Sequence, residues 1–156
     1  MTVTSLEGEA SADGARPALI PPGDYQLRFD FWETSVLFGK AAKIRMHFTV
    51  IEMGAYFDTA KLSLFYNASR LTGKPGRGGK FKVGWKSDFL RDYCALFATS
   101  ARFDKIVQRL DRIPMSMFKE HIFVGRVRTV KMGANQQPIP EPLQYSVIDK
   151  LLRIAE

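Results

Sequence analysis

KLSLFYNASRLTGKPGRGGKFKVGWK, residues 61–86, is the stretch on which the reading of the chain turns. It opens as a strand: Leu62, Leu64 and Tyr66 alternate with Lys61, Ser63 and Phe65, the period of two of a half-buried strand. It then runs through Thr72-Gly73-Lys74-Pro75-Gly76-Arg77-Gly78-Gly79, which suits neither a helix nor a central strand. It closes at Trp85-Lys86, just before Ser87, a helix-capping residue, and Asp88, favourable in a first helical turn. Lys61, Arg70, Lys74, Arg77, Lys80, Lys82 and Lys86 lie within it, and no acidic residue does. Phe65, Tyr66, Phe81 and Trp85 are interleaved with these cations. Cations neutralise phosphates and flat rings stack on unpaired bases. A flexible basic loop flanked by rings is therefore suited to a single strand of nucleic acid.

Upstream, Tyr25, Leu27, Phe29 and Phe31 alternate with Gln26, Arg28, Asp30 and Trp32, and then Ile44, Met46, Phe48 and Val50 with Lys43, Arg45, His47 and Thr49. Gly39-Lys40 and Met53-Gly54-Ala55 supply the turns, so the third strand spans about 56–66. With the apolar faces inward, the outer face carries Arg28, Trp32, Arg45, His47, Lys61 and Phe65, a binding surface by its chemistry. Downstream, Phe89, Leu90, Tyr93, Cys94, Leu96 and Phe97 recur at helical spacing. Phe103, Ile106, Val107 and Leu110 repeat the pattern until Pro114 ends it. Residues 120–131 (EHIFVGRVRTVK) return to a strand, with Arg126, Arg128 and Lys131 adding cations and Gly125 marking a bulge or bend. After a connection at 133–142, residues 145–149 form a last strand, which 151–154 extend or turn helical.

A length of 156 residues fits one domain, and the net charge of +7 sets it apart from an average one. Residues 1–20 hold Glu7, Glu9, Asp13 and Arg16, a balance of −2 without periodicity, and read as a disordered acidic arm; 21–156 then carries about +9. That charge suggests a polyanionic partner. The single cysteine, Cys94, excludes an internal disulfide and a cysteine zinc cluster, and sits on the helical stripe as a small core residue. His47 and His121 lack ligand spacing. Residues 73–80 have the wrong spacing for a Walker loop, and Phe81 stands where Ser or Thr is required. No triad or paired-carboxylate motif stands out, so the expectation is a protein that is not an enzyme and uses no cofactor or metal. Without a signal-peptide pattern or a run of transmembrane length, the chain is expected to be cytoplasmic and off the membrane.

The order β-β-β, helices, β-β predicts a mainly β fold: a five-stranded antiparallel OB-fold barrel with helices between strands 3 and 4. At this level the chain resembles the OB-fold single-stranded DNA-binding proteins, particularly the small ones encoded by phages and mobile elements. The resemblance covers about residues 20–152. It rests on an IPPGDYQLRF opening strand, KIRMHFTVIE, GAYFDTAKLSLFYN, the basic Gly-rich loop, the helix SDFLRDYCALF, a late FVGRVRTVK strand and a closing QYSVIDKLL. It implies sequence-tolerant binding of single-stranded DNA, protection of unpaired strands in replication or recombination, and homo-oligomers. Many bacterial members carry an acidic C-terminal tail that recruits partners; the closing residues 151–156 do not match it. Phosphate contacts are expected from Arg28, Arg45, Lys61, Arg70, Lys74, Arg77, Lys80, Lys82, Lys86, Arg126 and Arg128, and base stacking from Trp32, Phe65, Phe81 and Trp85. Two alternatives stay open: an RNA-binding OB module, since stacking ignores the 2′-hydroxyl, and a protein–protein assembly domain with an incidentally basic loop.

Overall fold

Strand β1 (Gly23–Leu37) is the spine on which the other elements are hung. The computed structural model describes residues 18–97, 109–133 and 136–155. β1 turns through residues 38–40 into β2 (Ala41–Val50), which pairs antiparallel with it and with β3 (Lys61–Asn67). On its other edge the first half of β1 pairs antiparallel with β7 (Ile122–Val130), and β7 pairs with β8 (Tyr145–Ile154). The sheet order is β3-β2-β1-β7-β8, so the fold is mainly β with an antiparallel sheet. The two ends of this path, β3 and β8, approach each other, but no ladder joins them among the described residues.

The alternation read from the sequence builds the inner face. Leu27, Phe29, Ile44, Met46, Phe48, Val50, Leu62 and Leu64 are buried, joined by Phe123, Val127, Ile148 and Leu151 from β7 and β8. Helix α1 (Asp88–Phe97) closes this core, and the Ser87 hydroxyl accepts from Leu90 N–H at 3.2 Å, the cap expected there. The helix inserts Phe89, Leu90, Tyr93 and Phe97, whose rings meet Phe118 of the short helix α2 (Ser116–Lys119). Phe118 in turn packs on Phe29 and Phe123. Each such ring fully buried is worth about 1.5–3 kcal/mol, so the cluster is a principal source of stability. Cys94 is half-buried on α1, and burial raises its thiol pKa, which disfavours the thiolate.

Several boundaries differ from those expected. The third strand begins at Lys61, because residues 52–59 are taken up in bends and turns, with Asp58 at φ +58°. Residues 18–20, assigned to the arm, belong to the body: Ile20 is buried, its N–H donates to Ser146 Oγ, and Ser146 N–H donates to Ala18 O. The rest of the arm lies outside the described residues, as do Phe103, Ile106 and Val107 of the second helical pattern. β8 runs unbroken through 151–154 as strand. Gly125 does sit at a register shift, and a Cβ there would meet Leu27 Cδ1 at 2.5 Å.

The largest correction concerns the Gly-rich segment. It is a hydrogen-bonded ribbon rather than a free loop: β4 (Arg70–Leu71) pairs with β6 (Phe81–Lys82), and between them β5 (Gly76–Arg77) pairs with the second half of β1. β1 extends past β7, and its open edge there accepts the ribbon. Among the described residues no helix is long and apolar enough to cross a membrane.

Candidate nucleic-acid interface

The outer face of β1, β2 and β3 is a grid set by register. One rung is Arg28, Thr49 and Lys61; the next is Phe31, His47 and Ser63. Then come Glu33, Arg45 and Phe65, and finally Ser35, Lys43 and Asn67. β5 adds Arg77 beside Glu33, so one row crosses four strands as Arg77, Glu33, Arg45, Phe65.

A bulge determines which rings face outward. The ladder between β1 and β2 shifts register between Phe29 and Phe31. The extra residue reverses the facing of everything after it on β1. Phe31 therefore turns outward, and Trp32 turns inward opposite the fully buried Met46. This corrects the expectation for Trp32: its indole packs against the core and its Nε1–H donates to Gly79 O at 2.9 Å, so it seats the ribbon instead of offering a face to a base. Phe81 is corrected too. It is 6% exposed and meets Phe89 edge-on at 5.5 Å, as a core ring. Phe65 does face out, 43% exposed, with the Arg45 guanidinium 5.4 Å from its ring centre. Trp85 stands 68% exposed in the turn before α1, not packed beneath the helix.

Phe31 is the ring the alternation hid, because no composition signal marks a bulge. It stacks on His47, centroids 4.2 Å apart and planes 14° from parallel. The Arg77 guanidinium carbon lies 3.8 Å from the Phe31 ring centre. Glu33 accepts a hydrogen bond from His47 Nε2–H at 2.5 Å, since a carboxylate can only accept. The same oxygen lies 4.0 Å from Arg45 Nη1, while Arg45 Nε donates to Ser63 Oγ at 2.9 Å. Burial lowers the His47 pKa, and the Glu33 hydrogen bond offsets this only in part.

The other candidate cations divide into groups. Lys61 Nζ donates to Thr49 Oγ1, and Lys43 bonds Asn67 on the same face. Arg28 is drawn toward Asp30 and Asp58 at 3.2 and 3.5 Å. Arg70, Lys74, Lys80 and Lys82 line the ribbon, and Lys86 follows Trp85; no carboxylate among the described residues pairs with any of the five. Arg70 and Lys82 are direct cross-strand partners. Like charges opposite each other destabilise a ladder, and an external anion between them would relieve that. Arg126 and Arg128 lie outside the grid of β1, β2 and β3. They sit on β7, paired with Asp24 at 3.8 Å and Asp149 at 3.2 Å. Asp24 is seven residues from Phe31 along β1, roughly 20 Å at strand rise.

Among the described residues no cluster of His, Cys, Asp and Glu is arranged to hold a metal ion. A pocket of about 430 Å³ lies beside the ribbon, lined by Trp32, Thr72, Lys80, Phe81, Asp111, Arg112, Ile113 and Met115 among others. No family model matches this chain, and comparison with curated proteins and with solved structures finds no match.

Proposed function

We propose that the chain binds single-stranded DNA without strong sequence preference, across the outer face of β1–β2–β3 and along the ribbon. One observation carries this reading: two rings, Phe31 and Phe65, stand in adjacent rungs of one sheet face, each with an arginine against it, and a β-ribbon extends the Phe65 rung across a fourth strand. Bases stack on the rings while Lys43, Arg45, Lys61 and Arg28 neutralise phosphates on the sheet, and Arg70, Lys74, Lys80 and Lys82 do so on the ribbon. Trp85 and Lys86 extend the path at the edge of α1. The fold reading that goes with it is an OB barrel left open between β3 and β8. Support comes from the strand order, with β1 central and α1 between β3 and β7, because the second and third strands of that partly open barrel form its oligonucleotide face. The role inferred by resemblance is to hold unpaired strands in replication or recombination.

The test is a gel shift with a single strand and a duplex of equal length at two salt concentrations. Stacking requires free π-faces, so the single strand should bind at least about tenfold more tightly. Equal affinity would leave only a generic polycation. Competition between DNA and RNA oligomers of equal length separates the RNA-binding reading. Association that ignores salt would indicate the protein-assembly reading.

A further inference from the structure

Phe31 has no face to spare. His47 covers one side from β2, stacked nearly parallel, and Arg77 reaches over the ring from β5, on the opposite flank of β1. An imidazole at 4.2 Å and a guanidinium at 3.8 Å cannot share one side of a benzene ring, so the ring is sandwiched. A guanidinium is planar, delocalised and weakly hydrated, and stacks on aromatic faces much as a base does. One residue along the strand from Trp32, the Glu33 carboxylate draws on His47 Nε2–H and lies within ion-pair reach of Arg45. Those two partners converge on an anion, and the anion is the protein's own.

We propose that Arg77 and Glu33 fill, in the free protein, the base position and the phosphate position of one nucleotide subsite on the outer face. An incoming single strand replaces them, its base taking the side of Phe31 that Arg77 covers and its phosphate the place of the Glu33 carboxylate against Arg45 and His47. This rests on the single-strand reading above and specifies its central subsite. The exchange does not require the fold to open. The ribbon is held by backbone: the Glu33–Arg77 and Thr34–Gly76 rungs, Gly78 N–H to Trp32 O at 2.8 Å, and Trp32 Nε1–H to Gly79 O. Only the Arg77 side chain and the Glu33 carboxylate, both with solvent access, need to rotate. The internal occupants keep the cations assembled and the ring covered when no strand is bound. They also lower net affinity, because each must be displaced.

The experiment is a titration of a fluorescent oligothymidine with wild type and with Lys74→Ala, Arg77→Ala, Glu33→Gln, Phe31→Ala and Phe31→Ala/Arg77→Ala, each first checked by thermal melting. Lys74→Ala, an ordinary loop cation, should weaken binding several-fold. Arg77→Ala removes the same charge yet uncovers the ring, so its affinity should equal or exceed wild type. Glu33→Gln should tighten binding about fivefold or more. In the Phe31→Ala background, Arg77→Ala should instead weaken binding, like Lys74→Ala. If Arg77→Ala falls in step with Lys74→Ala whether or not Phe31 is present, and Glu33→Gln changes nothing, the exchange is overturned while the functional reading stands. If neither wild type nor any variant binds a single strand, both are overturned.

Discussion

Replacing Phe31 with Ala and replacing its neighbour Trp32 with Ala should have opposite effects. Phe31 faces outward, so its loss should cost about 1–3 kcal/mol of single-strand binding and little stability. Trp32 packs on the core and holds Gly79, so its loss should cost about 3 kcal/mol of stability, with binding following only through the ribbon. Melting curves and an oligothymidine titration on both variants distinguish the two roles. His47 adds a pH dependence. Unfolded, it titrates near about pH 6.5; folded, burial lowers that value, with Glu33 and Asp30 opposing and Arg45 assisting. Between the two values the unfolded chain binds more protons, so stability rises with pH there. The contribution is present above about pH 6.5 and is lost as pH falls from there through the folded value. His47→Gln should therefore narrow the gap between urea midpoints measured at about pH 7.5 and 5.5. On the far side of the core, Tyr66 O–H donates to buried Asp92 at 2.7 Å, and burial followed by that carboxylate raises the tyrosine pKa. Tyr66→Phe should cost about 1.5–3 kcal/mol, read by denaturant melts.

The ribbon is the element whose behaviour depends most on one small residue. A Cβ on Gly79 would lie 2.0 Å from Thr34 Oγ1, 3.1 Å from Thr34 Cβ and 3.0 Å from Gly76 O. Thr34 is buried and cannot move aside. Gly79→Ala should lift the ribbon from β1 at a cost of about 1–3 kcal/mol. The Trp32 fluorescence, isolated in a Trp85→Phe background, should shift with it; an unshifted spectrum would mean that the ribbon stays seated. Replacing Lys74 and Lys80 with Ala should instead leave the melting temperature near wild type. It should flatten the dependence of log affinity on log salt by roughly 0.7 for each phosphate no longer neutralised. The elements differ in how far their sequences revealed them. β2 and the 61–66 part of β3 could be read because their apolar residues alternate with polar ones, and α1 because Ser87 and the spacing of Phe89, Tyr93 and Phe97 agree. The bulge in β1 could not, since an inserted residue leaves no mark in a strand where Phe31 and Trp32 are both large and apolar. The ribbon was hidden for another reason: its seat is supplied by β1, far upstream in the chain, and not by its own glycines.

At the scale of the whole molecule, the strand order and the split of charge matter more than net charge. The five long strands β1, β2, β3, β7 and β8 were legible because each run has its own period, whereas the three short strands β4, β5 and β6 before α1 were not. How the strands meet was not, because the pairing of β1 with β7 depends on distant residues that no local pattern encodes. The cations were all legible as residues, but their distribution over the strands was not: Arg126 and Arg128 carry the same charge as Arg45 yet lie on β7, paired with Asp24 and Asp149. Arg126→Ala should therefore change single-strand affinity less than about twofold, whereas Arg45→Ala, which loses the proposed phosphate contact and the cation over Phe65, should weaken it at least about tenfold. Parallel titrations at one salt concentration compare them.

The central place of β1 also has a consequence in time. Its pairing with β2 and β3 joins neighbours along the chain, whereas its pairing with β7 joins Arg28 to Ile122 and must wait for most of the polypeptide. Closing that long loop is the slower, entropically costly step. The N-terminal meander is thus expected to order first, carrying Phe31, His47, Arg45 and Phe65 before the second half of the sheet arrives. In stopped-flow refolding, Ile44→Val in β2 should mainly slow folding, and Ile148→Val in β8 should mainly speed unfolding. The reverse pattern would place the nucleus in the C-terminal hairpin. If the meander leads, the face proposed to bind a single strand is among the first surfaces the nascent chain acquires, and the open edge of β1 at Gly23–Arg28 is what a chaperone or a misfolding partner would encounter until β7 closes it.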